Sequence, residues 1–117
     1  MVRDSLKKKI PYSHFGALDI RVGRILEAKK FPEARSPAYK LLIDFGPLGQ
    51  KKSSAQITHT YSTDQLIGKM VVAVINFPDK QIANTISECL VLGAVGDDEN
   101  VFLLQPDHGA KEGYKIG

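Results

Sequence analysis

Apolar residues in this chain come in short blocks separated by Gly and Pro, and that punctuation narrows the fold more than any other feature. The longest blocks are residues 70–75, 89–92 and 101–104. All fall far below the roughly 20 residues that a membrane helix needs. They suit strands better than amphipathic helices of ten or more residues. In residues 40–45, Leu41, Ile43 and Phe45 alternate with polar or outward neighbours and share one face. Gly46-Pro47-Leu48-Gly49 then carries strong turn chemistry. A third strand returning from Lys51 makes this the clearest hairpin. Residues 19–28 read as a longer strand whose alternation fails near Gly23, which implies a bulge or sharp bend there. Residues 70–75 are too continuously apolar for a strand with one wet face.

Helix signals are few. Ser13 is placed to cap a short turn through Leu18, and Thr63 a second over residues 64–67, closed by Gly68. Two further strands, 89–92 and 101–104, are joined through residues 93–100, with a solvated tip at Asp97-Asp98-Glu99. About five or six short strands with little helix imply a mainly β fold, and a five-stranded OB-type barrel is the economical choice at 117 residues. An immunoglobulin-type sandwich would call for a Trp and paired Cys, and this chain has no Trp and one Cys. Residues 1–12 read as a polar arm and residues 13–117 as a single domain.

Catalytic and metal chemistry find no foothold. His14, His59 and His108 lie far apart without a second ligand at metal-site spacing. No nucleotide-binding glycine loop and no nucleophile elbow occurs. Cys89 sits in an apolar strand, where a free thiol behaves as a small hydrophobe. A lone Cys and the lack of an apolar leader after Lys7–Lys9 lead to the expectation of a cytoplasmic, non-enzymatic protein without cofactor, metal or membrane insertion. Net charge is only +3, but residues 1–52 hold 12 Lys/Arg against 5 Asp/Glu, and residues 53–117 hold 4 against 8. Such a skew is compatible with a basic face that attracts polyanions, or with lysines that merely solvate strand edges.

Several segments go beyond a generic β protein. Asp19-Ile20-Arg21-Val22-Gly23-Arg24-Ile25 resembles the opening motif of the tRNA-binding-domain family. Residues 31–41, Asp44-Phe45-Gly46-Pro47-Leu48-Gly49, Lys52-Ser53-Ser54-Ala55-Gln56-Ile57-Thr58, Asn76-Phe77-Pro78 and residues 87–93 resemble its CsaA branch, the secretion chaperones. The resemblance implies an OB-fold homodimer built through terminal segments. It also implies binding of unfolded precursor proteins, with the SecA export motor as a partner, and tRNA binding as the alternative activity. Cys89 and Leu90 stand where tRNA-binding relatives carry Gly and Met, and Asn84 where many carry Gly. Ile86 stands near a position that is polar in them. These departures suit a more apolar groove.

For a peptide, Phe77, Pro78, Ile82, Ile86 and Leu90 are expected to give apolar contact, and Ser54, Gln56, Asn76 and Ser87 hydrogen bonds. For tRNA, Lys40, Lys51, Lys52, Lys80, Arg21 and Arg24 are expected to meet phosphates on the same barrel face.

Overall fold

The computed structural model describes residues 5–117. Its organising element is strand β1 (Ile20–Lys30), whose 11 residues would stretch over roughly 37 Å if straight. A strand of that length must bend to stay on a small core, and it serves two neighbours in turn. Its second half pairs with β2 (Tyr39–Asp44), from Arg24↔Asp44 to Lys30↔Tyr39. Its first half pairs with β4 (Met70–Val74), from Ile20↔Val74 to Arg24↔Met70. The β1–β2 register slips between Ile25 and Glu27, so the bulge sits at Leu26. The break expected at Gly23 therefore lies three residues later. Gly23 has a different role: a Cβ there would fall 2.6 Å from Ile43 Cγ2 and 2.7 Å from Phe45 Cε1. The bare backbone lets those two core side chains pack against β1.

Strand β3 (Gln50–Ala55) completes the predicted hairpin with β2, after a 3-10 turn over Gly46–Leu48. With β7 (Leu90–Val91), the sheet order is β3-β2-β1-β4-β7, a nearly closed five-stranded barrel of the OB type. Closure falls between β3 and the residues just before β7. The Glu88 N–H donates to the Lys52 carbonyl at 2.8 Å, and the buried Ser53 hydroxyl donates to the Cys89 carbonyl at 2.9 Å. Phe45, Ile25, Ile43 and Val71 fill the interior, and Leu66 of α2 (Thr63–Leu66) is fully buried among them. The cap of α2 is Ser62, not Thr63: the Ser62 N–H donates to Gln65 Oε1 at 2.8 Å, and Thr63 is the first helical residue.

The apolar run 70–75 is buried on both faces, as expected. Val72 and Val74 point away from the barrel interior and are covered by Leu18, Leu92 and Ile116. Ile116 arrives on a C-terminal segment that lies along β1. Gly113 N–H bonds to Val22 C=O at 2.8 Å and Val22 N–H to Tyr114 C=O at 2.9 Å. Helix α1 (Tyr12–Gly16) begins one residue before Ser13 and has no side-chain cap. Of the polar arm, residues 1–4 lie outside the described residues, and residues 5–11 are exposed without regular structure.

Two hairpins go beyond the sequence expectation. One joins β5 (Lys80–Ile82) to β6 (Thr85–Ser87). The other joins β8 (Gly93–Val95) to β9 (Val101–Leu103). The run 89–92 is thus not a single strand, and part of the expected 93–100 connection is itself paired. No helix among the described residues is long and apolar enough to cross a membrane.

Candidate functional site

Beside the closure of the barrel lies an open groove of about 820 Å3. Its floor is the end of β3, where Ser54 and Gln56 flank Ala55 and the buried Ile57 completes the surface. One wall is the chain leaving β4 and the β5–β6 hairpin, which bring Phe77, Pro78, Lys80 and Ile82. Val101 and Leu103 of β9 and residues 87–91 complete the lining. Phe77 is 45% exposed and Leu90 is 49% exposed, although both are large and apolar. Open concavities with mostly apolar walls and a few fixed polar groups are the usual form of binding sites.

Seven of the nine residues expected to contact a peptide meet here: Ser54, Gln56, Phe77, Pro78, Ile82, Ser87 and Leu90. Asn76 does not line the groove. Its Oδ1 accepts the Asp19 N–H at 2.8 Å and its Nδ2 donates to the Ala17 carbonyl at 2.8 Å, so its amide ties α1 to the barrel. Ile86 is half-buried on β6 opposite Gln81, outside the lining. Arg35, Gln81 and Glu88 also join the groove, although they are not among the expected contact residues. Only the tertiary course of residues 31–38 and 80–88 brings them there.

The six cations expected to meet phosphates do not form one surface. Lys80 lines the groove. Lys40 lies opposite Ser54 on β2, with its ammonium 5.2 Å from the centre of the Phe31 ring. Lys52 is exposed on the same face of β3 as Ser54, and Lys51 is half-buried on the other face, opposite Ile43. Arg21 and Arg24 are turned to the C-terminal segment instead. Arg21 pairs with Asp19 at 2.6 Å and donates to the Gly113 carbonyl at 3.1 Å. Arg24 meets Glu112 at 3.3 Å and the Gly68 carbonyl at 2.8 Å. Glu112 has its carboxyl held below the ordinary range, first by a hydrogen bond from its own backbone amide and then by Arg24.

Cys89 on the groove floor is buried, and that burial pushes its thiol up to about 11, against smaller opposing effects from Ser53 and Lys51. His14, His59 and His108 are all exposed. No cluster of three or more metal-ligating side chains occurs among the described residues.

A family model described as "Putative tRNA binding domain" matches residues 20–115. A crystal structure of the chaperone CsaA from Picrophilus torridus is 55% identical with a TM-score of 0.88, covering 93% of this chain and all (100%) of that one. A crystal structure of the chaperone CsaA from Bacillus anthracis is 48% identical with a TM-score of 0.89, covering 94% of this chain and 100% of that one. Methionine–tRNA ligase 1 of Sorangium cellulosum is 33% identical over 116 residues, 99% of this chain. The chain spans only 16% of that enzyme's length.

Proposed function

The chain belongs to the tRNA-binding-domain family, within its CsaA branch, and on that basis we propose that it is a non-catalytic chaperone that holds unfolded precursor polypeptides. The observation that carries this reading is the groove itself. Phe77 and Leu90 keep about half of their surfaces open to water beside Ser54, Gln56 and Ser87. Leaving apolar side chains wet forgoes roughly 25 cal/mol for each Å2 that burial would remove from water. An apolar client segment recovers that energy on binding, while the hydroxyl and amide groups hold its backbone. Nothing in such an exchange breaks a covalent bond.

We further assign it as a homodimer in the cytoplasm, delivering clients to an export motor of the SecA type. Support for pairing comes from apolar surface away from the groove: Val95 is 76% exposed and Phe102 51%, and Tyr12 of α1 is exposed as well. Burying such side chains against a second copy would remove them from water.

A second reading, tRNA binding on the same face, is favoured by the family match and by Lys40, Lys52 and Lys80 near the groove. The two readings respond differently to salt. If three lysines each neutralise a phosphate, tRNA binding should weaken about 20- to 40-fold between about 50 and about 200 mM salt. Apolar burial changes little over that range. A titration of reduced, carboxymethylated α-lactalbumin at both salt concentrations should lose far less affinity than that. Tight, steeply salt-dependent binding of bulk tRNA without binding of the unfolded protein would transfer the function to nucleic acid.

A further inference from the structure

Strand β3 enters the groove with one edge only partly covered. Its inner edge is paired to β2 along its whole length. On the outer edge, the Lys52 carbonyl accepts the Glu88 N–H at 2.8 Å, and the Lys52 N–H donates to Glu88 Oε1 at 2.8 Å. The Ser54 N–H donates to Ser87 Oγ at 3.3 Å. A carboxylate and a hydroxyl thus occupy positions where a neighbouring strand's backbone would sit. Peptide groups in a strand point alternately to its two edges. The next outward groups are therefore the Ser54 carbonyl and the Gln56 N–H, which have no backbone partner among the described residues. Both residues line the groove.

We propose that the groove takes its polypeptide by strand addition to this edge. An extended segment lies beside β3, donates an N–H to the Ser54 carbonyl and accepts the Gln56 N–H. An acceptor and a donor two residues apart fit a parallel partner residue opposite Ala55. Alternate side chains of the segment then face the apolar walls at Phe77 and Leu90, and backbone bonds supply affinity without sequence. Charge narrows the occupant further. Arg35 and Lys80 line the groove with no ion pair among the described residues, while the Glu88 carboxylate is engaged by the Lys52 N–H. The matching ligand is an extended apolar segment carrying an acidic residue. An RNA strand offers anions but no amides repeating at strand spacing.

This inference deepens the chaperone reading and rests on it, so the test separates the two. The probes for the full-length chain are a labelled decapeptide alternating Leu and Thr around one Asp, and a twin N-methylated at its central residues. Methylation removes the peptide N–H that meets the Ser54 carbonyl, and loss of that bond at about 1 kcal/mol should weaken the twin about fivefold. The Gln56 amide should exchange more slowly when the parent peptide saturates the protein. Gln56→Pro, which removes the backbone donor at an exposed position, should bind several-fold more weakly than Gln56→Ala, which keeps it. Equal affinity for the twin, or unchanged Gln56 exchange while Phe77 and Leu90 resonances shift, overturns strand addition and leaves the groove reading standing. No binding of either peptide overturns both. An oligo-uridine that protects Gln56 when the peptides do not also overturns the proposal. Should Gln56→Pro misfold, the twin and the exchange measurement, both made on the wild type, decide.

Discussion

The thiol of Cys89 lies on the groove floor with its proton held until about pH 11. At pH 8 the native protein should resist a thiol reagent such as Ellman's, and the denatured chain should react at once. Fast native labelling would contradict the buried placement. The sign of the pH effect follows from the raised value. Below the ordinary thiol pKa of about 8.5 the residue costs nothing, and stability falls as pH rises from there through about 11. Single residues differ sharply in how legible they are in the sequence. Ser54 and Gln56 can be placed because they lie on, and directly after, a strand whose register follows from its own hairpin. Asn76 cannot, since its partners Ala17 and Asp19 are more than 50 residues away in sequence. Arg21 and Arg24 are hard to place for a related reason: Glu112 and the Gly113 carbonyl reach them from the far end of the chain, and Arg21 also pairs with its neighbour Asp19.

At the scale of elements, strands long enough to show a period are legible. β2 displays three alternating core residues in a row, and β4 is apolar throughout. β5 and β6 have three residues each, too few to show any period. The 89–92 run hides a break at Leu92, because apolar character does not record where a strand changes partner. The β5–β6 hairpin that walls the groove also carries backbone strain. Its two-residue turn begins at Ala83 with φ of 48°, a conformation that suits glycine. Ala83→Gly should relieve about 1 kcal/mol. Amides at Ile82 and Thr85 should then exchange about fivefold more slowly by native-state hydrogen exchange. Faster exchange would mean that the turn is not strained as described.

On the scale of the whole molecule, the barrel is legible from punctuation and alternation, and the groove only in part. Its floor comes mainly from one hairpin, with Cys89 beside it, but its walls come from segments far apart in the chain. The charge skew of the N-terminal half suggests a basic face, yet folding turns Arg21 and Arg24 to the C-terminal segment and leaves Lys40, Lys52 and Lys80 near the groove. What gathers at the groove is apolar surface, and the central claim is that this surface holds unfolded polypeptide. The most direct measurement is the affinity for reduced, carboxymethylated α-lactalbumin of the wild type and of a Phe77→Asp, Leu90→Asp variant. Both side chains are exposed, so the variant should keep its fold and thermal midpoint. Removing two apolar side chains that each contribute about 1.5 kcal/mol should weaken binding at least about 100-fold. A folded variant that binds the unfolded protein as tightly as the wild type would contradict the account.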